Sequence, residues 1–562
     1  MFSRKKFLAW LTVFTVLFSA GWFANQSRAN DNDDIYYKID KGLFYLKEVF
    51  ETVSRNYVDE LNPETLSKSA IKGMLQEFDP YTVFFEDPGS QQMRMITRGK
   101  YGGVGMEIGM QNKKITVIAP MEETPAQRAG IRPGDVITKI DGEATRNMNL
   151  EDASQKLRGK IGSRVSIEIE RPGVNQPFTV ELIREEIVLK DVTYAAFLEP
   201  GTAYIRLAAF SDKAGKELRD AVSALQMQSP IERAILDLRG NPGGLLTSAV
   251  EVANVFLPPG QLVVSTRGVH ESENKFFTKE NPLLPVQPLV VLIDRSSASA
   301  SEIVAGAIQD LDRGVLVGTQ TFGKGLVQKV FPIDKVTQAY LKITTAKYYV
   351  PSGRSIQKEE YKKNNSVFTD LSDSVEYDPK IDYFTANGRV VHSGGGIQPD
   401  VAMPEAELDP FMQTLLARGL FFQFAVEYMS KNPGLKKSGM AAVDEPLLQE
   451  FEAYVLRQGL DFELEGEAEL NKFLKIAREK KYSEDLRDLV EVALQKLDTR
   501  KRDEFAEHRQ DIIRNLEAEF AEKLQDSEAR TRVQLSHDPE VKRAVEVLHN
   551  MQQYQQILAI NK

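Results

Sequence analysis

At 562 residues the chain is too long for one ordinary domain, and its 42% hydrophobic, 27% charged composition is that of a globular protein. A net charge of -10 argues against nucleic acid as a partner, since phosphate binding needs a basic surface. With no cysteine, disulfides, cysteine-ligated metal, thiol catalysis and cysteine lipidation are excluded. The first element is basic, then apolar: Arg4, Lys5 and Lys6 precede FLAWLTVFTVLFSAGWFA, 18 residues from Phe7 to Ala24. Ser27-Arg28-Ala29 then offers small residues where a signal peptidase cuts. Residues 1–29 therefore read as a signal peptide or N-terminal anchor. The body of the protein is expected in the periplasm or cell-envelope space, with inner-membrane association left open by a stretch at the lower edge of spanning length.

After the acidic NDNDD segment, residues 35–97 read as an N-terminal helical region, with apolar positions at helical spacing in LFYLKEVFETVSRNYV and SKSAIKGMLQEF. The composition then changes at GKYGGVGMEIG. Residues 98–186 carry short strand-like runs, VGMEIGM, KITVIAP, DVITKIDG, RVSIEIER and FTVELIR, with helical patches between them. YGGVGMEI and AGIRPGDVITKIDG together resemble a PDZ domain of the circularly permuted bacterial type. In that reading Gly102, Gly103, Val104 and Gly105 form a loop whose N–H groups converge on a carboxylate. Met106 and Ile108 help line a side-chain pocket, and the following strand offers an edge for a peptide to join.

From 187 to 404 strand and helix alternate: AILDLRG runs into NPGGLLTSAVEVANVFL, and PLVVLID into SEIVAGAIQDL, before GVLVGT. Apolar strands followed by helices predict an α/β core. A polar stretch at 358–393 interrupts it as a surface insert. From 405 to 562 the patterns predict a helical extension, its charge runs read as solvated faces. No cofactor motif or catalytic pattern occurs there.

The chemistry concentrates at SSASASEI, residues 296–303, where a strand meets a helix. Ser299-Ala-Ser-Glu302 fits a capping box, so the serines alone leave a cap and a nucleophile both open. The five histidines, His270, His392, His508, His537 and His549, all follow the PDZ-like segment. The His-Asp-Ser core that trypsin-like secreted proteases place before a PDZ is thus absent, and a serine nucleophile would need another base. Lys324, between Gly323 and Gly325 in GTQTFGKGLVQ, can serve if its amine is neutral, although a lysine in a glycine-rich turn is usually a solvated residue.

The pieces AIKGMLQEFDPYTVFF, the PDZ-like segment, ILDLRGNPGG, SASASEIVAGAIQD, GKGLVQ, YYVPSGRSIQ and GGGIQPDV span about residues 40–401. In that order they resemble the C-terminal processing (tail-specific) proteases, Ser-Lys serine peptidases with a PDZ domain. The resemblance implies a multidomain α/β fold: a crotonase/ClpP-like peptidase core with an inserted PDZ domain, N-terminal helices and a C-terminal helical extension. It places the nucleophile on Ser299 and the base on Lys324, 25 positions later. The glutamine that orients the lysine falls on Gln328, and the acid closing the serine helix on Asp310. Oxyanion donors would be the N–H of Ala300, at the helix start, and that of Gly243 or Gly244. Ser297 and Ser301 are then local hydrogen-bonding residues and Glu302 the cap partner. Asp294-Arg295 departs from the asparagine often found there, at a position that is not catalytic.

The expected protein is an exported serine endopeptidase that recognises unstructured C-terminal tails and forms an acyl-enzyme, with no cofactor and no metal. Its partners are protein or peptide substrates with accessible tails; a homodimer and an adaptor are left open. The non-enzymatic alternative is a PDZ scaffold with a decayed core, against which the joint presence of Ser299, Lys324 and Gln328 argues.

Overall fold

The computed structural model describes residues 35–559 except 87–92, 94, 335–338, 359–381, 406–408, 433, 436–442, 460, 461, 463, 465 and 502. The export or anchor segment and most of the 358–393 insert lie outside the described residues. Two units divide the chain at Pro80. In the first, residues 35–56 (α1) and Pro63–Leu75 (α2) are helical. α2 begins where Asn62 accepts the N–H groups of Glu64 and Thr65, with Pro63 in a position that has no N–H to satisfy. Leu43, Phe44 and Leu46 of α1 are exposed.

The second unit begins with β1 (Val83–Phe85), β2 (Lys100–Gly103), β3 (Met106–Gln111), β4 (Lys114–Pro120) and β5 (Val136–Ile140). The helix α3 (Leu150–Leu157), β6 (Arg164–Glu170), β7 (Phe178–Ile183) and β8 (Glu185–Val188) follow. Alternation along RVSIEIE turns Val165, Ile167 and Ile169 inward, onto Val104, Val117, Ile137 and Ile140. The sheet runs β3-β4-β5-β6-β7, which leaves β3 at an edge. This is the PDZ domain.

The α/β core is built on β9 (Val192–Glu199), β10 (Thr202–Leu207), α4 (Ala214–Gln228), β11 (Arg233–Asp237), α5 (Leu246–Ala253), β12 (Leu262–Gly268), β13 (Glu271–Phe277) and β14 (Leu289–Ile293). It continues with α6 (Ala300–Asp310), β15 (Val315–Gly318), β16 (Leu326–Asp334), β17 (Ala339–Tyr349) and β18 (Val401–Ala402). Its main sheet has the order β9-β10-β11-β14-β15-β18, parallel from β10 onward. A strand inside a parallel sheet is covered on both faces, which is why LVVLI at β14 is apolar throughout and wholly buried. One face packs against α4, α5 and α6. A smaller sheet joins β1, β17, β12 and β13, with β16 paired to β17.

The C-terminal helices include α7 (Leu420–Lys431), α8 (Arg509–Leu524), α9 (Ser527–His537), α10 (Pro539–His549) and α11 (Met551–Ile557). Phe411, Phe421, Phe424, Phe451 and Phe520 give them a core of their own. They are more than an extension. Val541, Ala544, Val547 and Leu548 of α10 cover the second face of the main sheet, over Tyr204, Ile235, Val290, Leu292, Val315 and Val317. The Tyr554 hydroxyl of α11 accepts the Leu289 N–H at 3.0 Å and donates to the Leu289 carbonyl at 3.2 Å. On another side the helices hold the PDZ domain: Asn112 donates to Gln423 at 2.7 Å, and Gln423 donates to Gln111 at 3.0 Å.

The charge runs are also not all solvated faces. The Lys523 side chain is 3% exposed and lies between Glu519 and Glu522, which Arg530 also bridges at 2.9 and 2.7 Å. Mutual pairing makes this burial tolerable. Among the described residues no helix is long and apolar enough to cross a membrane.

Because α10 closes the sheet, Leu548→Ala should destabilise the second unit by about 2–5 kcal/mol, the usual cost of removing a buried leucine side chain. A urea midpoint that does not move would show that α10 contributes nothing to the core.

Candidate active site

The serine run lies between β14 and α6, and its members divide the labour. Ser297 and Ser301 are fully buried and tie the turn to the segment after β11: Ser297 Oγ donates to the Leu238 carbonyl at 2.8 Å, and Ser301 Oγ to the Asn241 carbonyl at 2.9 Å. The Ala298 N–H donates to the same Asn241 carbonyl at 3.0 Å. Asp294 accepts the N–H groups of Ser296 and Ser297 at 2.9 Å and that of Gly240 at 3.0 Å. Its carboxylate therefore fixes both turns, a role that chain position alone does not reveal. Ser299 is left at the head of α6 with φ 55° and ψ -110°, a conformation that a non-glycine residue keeps only under constraint.

That constraint has an identifiable source. Glu302 is completely buried, and both of its oxygens are fully engaged. Oε2 accepts the N–H of Ser299 at 2.8 Å and of Lys324 at 2.9 Å. Oε1 accepts the N–H of Gly323 at 2.7 Å and the Thr321 hydroxyl at 2.6 Å. Burial pushes the Glu302 carboxyl upward, and these four donors oppose that shift. The sequence reading of Glu302 as a cap partner thus finds half of its role; the other half is to bind the lysine loop.

Tyr348 joins the same two residues from the other side. Its hydroxyl contacts the carbonyl oxygens of Ser299, at 3.0 Å, and Lys324. Burial, reinforced by Glu302 and Tyr81, keeps the phenol far above its ordinary range and therefore a donor. The Lys324 amine lies 4.3 Å from the centroid of the Tyr81 ring, whose π face favours the charged amine. Gly323, at φ +87°, is required by crowding as well as by conformation: a Cβ there would lie 2.9 Å from Lys358 and 3.1 Å from Gly395. Gln328 lies on β16 opposite Thr344, to whose hydroxyl it donates over a long 3.4 Å.

The glycine turn faces the serine directly. A Cβ on Gly243, at φ +94°, would come within 2.5 Å of the Ala298 carbonyl and 2.9 Å of Ser299 Cβ. The Gly243 N–H, however, donates to Asn241 Oδ1 at 2.8 Å. Of the two glycines named from sequence, Gly244 is therefore the one whose N–H, like that of Ala300, has no partner among the described residues. Asp310 stands at the far end of α6, about 16 Å from Ser299 at 1.5 Å per residue. It accepts from the buried Arg354 at 2.8 Å and from the Ser352 N–H at 2.9 Å. Its support of the site is indirect.

In the PDZ domain the expected anion loop is shorter than the sequence suggests. Gly102 and Gly103 belong to β2 and pair with Glu186 and Glu185 of β8. A Cβ on Gly102 would sit 2.2 Å from the Gly159 carbonyl, so close packing explains this glycine. The turn itself is Val104-Gly105, with Gly105 at φ +72°. Val104 and Met106 are buried in the domain core, and Ile108 packs partly exposed against it.

Residues 201–367 match the model of peptidase family S41, and 116–171 that of the PDZ domain. Residues 411–548 match a C-terminal helical domain of probable PDZ-proteases, and 18–88 the N-terminal domain of the activating protease CtpB. A carboxy-terminal-processing protease of Bartonella bacilliformis is 38% identical over 353 residues, covering 61% of this chain and 80% of the relative. This chain belongs to the carboxy-terminal-processing protease family. It is a serine-type peptidase. A carboxyl-terminal-processing protease of Synechocystis is 35% identical over 58% of this chain and 79% of its own length. Among solved structures, a photosystem II D1 C-terminal processing protease aligns with 63% of this chain and 91% of its own, at 29% identity and a TM-score of 0.34.

Glu302→Gln tests the junction between serine turn and lysine loop in this protease. The amide would turn its NH2 toward N–H groups that now donate to a carboxylate oxygen. Peptidase activity should fall at least about a hundredfold, the scale of a lost electrostatic support in an active site. Activity within a few fold of wild type would show that the junction does not hold the site.

Proposed function

We propose that this protease is an exported endopeptidase that captures a free C-terminal tail on its PDZ domain and cleaves through a Ser299–Lys324 dyad. The observation that carries the reading is the single Glu302 carboxylate, on which the N–H groups of both Ser299 and Lys324 converge. Ser299 Oγ attacks the scissile carbonyl carbon while Lys324, entering as the neutral amine, takes the hydroxyl proton. The N–H groups of Ala300 and Gly244 receive the negative oxygen. The resulting ammonium is the state that the Tyr81 ring favours, and it returns the proton to the departing amine of the peptide. Water then attacks the acyl-enzyme, with Lys324 again as base. Gln328, close in sequence on β16, would steady the lysine.

For recognition, the free edge of β3 offers main-chain groups for a tail to join as an added strand, and the Val104-Gly105 turn lies at its start. The tail carboxylate would bind at that turn. The basic, then apolar N-terminus supports export.

Ser299→Ala and Lys324→Arg should each abolish cleavage of β-casein while leaving the unfolding midpoint unchanged, since a guanidinium stays protonated and cannot act as base. Turnover by Lys324→Arg would sink the dyad. The rate should rise with pH as the neutral amine accumulates. Tail capture is tested with a matched pair of peptides: the free acid should be cut about ten to a hundred times faster than the amide, the value of one charge-assisted hydrogen bond. Equal rates would remove the carboxylate from the recognition scheme. Mature protein should begin near Asn30, and recovery of Met1 from a membrane fraction would indicate an uncleaved anchor instead.

A further inference from the structure

The N-terminus of α10 reaches the glycine turn, although more than 290 residues separate them in the chain. Arg239 directly precedes Gly240-Asn241-Pro242-Gly243-Gly244. On one side its Nη2 donates to Asp237 at 2.6 Å and its Nε at 3.0 and 3.1 Å, while the Arg239 N–H binds the same carboxylate at 2.9 Å. Asp237 is 1% exposed and also accepts the Tyr204 hydroxyl at 2.6 Å. On the other side Nη1 donates to Glu540 at 2.5 Å and lies 2.9 Å from Asp538. Asp538 at the same time caps α10, accepting the N–H groups of Glu540 and Val541 at 2.9 and 3.0 Å.

Helix docking does not require this arrangement. α10 is already held by Val541, Ala544, Val547 and Leu548 against the sheet. Three carboxylates around one guanidinium leave an excess of negative charge in a part-buried place, and burial pushes the Glu540 carboxyl upward even though Arg239 opposes it. What the arrangement does accomplish is geometric. A planar fork bonded along two edges cannot rotate, so the backbone of Arg239 is fixed. The next N–H, that of Gly240, is fixed by Asp294 from the serine turn. The glycine turn thus enters the site anchored on the C-terminal helices through the residue before it and on the nucleophile's own turn through its first residue.

We propose that Asp538 and Glu540 are positioning residues of this protease, holding Arg239 so that the glycine turn presents its oxyanion donor to Ser299. The C-terminal helical domain then belongs to the reaction machinery as well as to the fold. The inference rests on reading Ser299 and the glycine turn as the reaction site. A misplacement of about 1 Å in such a site can cost about a hundredfold in rate, so a small loss of anchoring is measurable.

The experiment uses the full chain and a free-acid peptide. It measures kcat and KM for Asp538→Asn, Glu540→Gln and the double variant, each well below its own unfolding midpoint, with Ser299→Ala alongside. Asparagine remains a good cap, so Asp538→Asn removes charge without removing the cap. We expect kcat to fall about tenfold in each single variant and about a hundredfold in the double, with KM within about twofold of wild type. Glu540→Asp should recover part of the loss. In an Arg239→Gln background the two acid substitutions should add no further loss, as for groups acting through one partner. An unchanged kcat in the double variant, whether or not its midpoint falls, overturns the proposal and leaves the acids as a tether. If the double variant does not fold, Glu540→Gln alone decides by the same criterion. Full turnover by Ser299→Ala would instead overturn the reading of the reaction site, which is a separate outcome.

Discussion

A carboxylate shut away from water is costly unless every lone pair is used, and the proposed active site of this protease is organised around one. Glu302 satisfies four donors, and those donors come from two separate stretches of chain: the serine turn and the lysine loop. Neither stretch can move without exposing a buried charge to unmet hydrogen bonds. The strained backbone of Ser299 persists for this reason, because relaxing it would withdraw an N–H from Glu302. Tyr348 closes the arrangement from the carbonyl side of the same two residues.

The glycine turn follows the same logic with different partners. Several of its N–H and carbonyl groups are taken up by Asp294, by the Asn241 side chain and by the buried Ser301. Hydrogen bonds of this kind are each worth only about 1 kcal/mol net, but breaking one inside a buried network costs the full desolvation of its partner. Precision here comes from the expense of every alternative position rather than from any strong single bond. Gly243 adds a steric limit, since no side chain fits between the turn and Ser299.

What could be read from the chain was whatever local pattern expresses. The apolar LVVLI strand, the alternation of RVSIEIE and the run of small polar residues before α6 each carry their structure in a few neighbouring residues. Such a pattern marks Ser297 and Ser301 as hydrogen-bonding residues, but it makes them local, whereas these acceptors lie some sixty positions upstream. Contacts between distant stretches left no such trace. Nothing near Glu302 announces that its carboxylate reaches Gly323 and Lys324, and nothing near Arg239 announces Asp538. Gly102 of β2 is a further case: nothing near it announces the close approach of the Gly159 carbonyl, which leaves no room there for a side chain. The charged helices misled in a similar way, because composition records that Lys523 and Glu519 are charged but not that they face each other in the interior.

The sheet that carries the serine is finished by a part of the chain made long after its strands. Its strands are complete by Ala402, yet one of its faces is covered by residues as late as Leu558. A ribosome adding about 5–20 residues each second needs about eight to thirty seconds to cover that interval. Throughout it, Ile235, Val290, Leu292, Val315 and Val317 have no cover. A chain that has grown only to Ala402 therefore still lacks the apolar lid of its main sheet. Where the apolar lid lies along the chain thus sets how early that sheet can be completed.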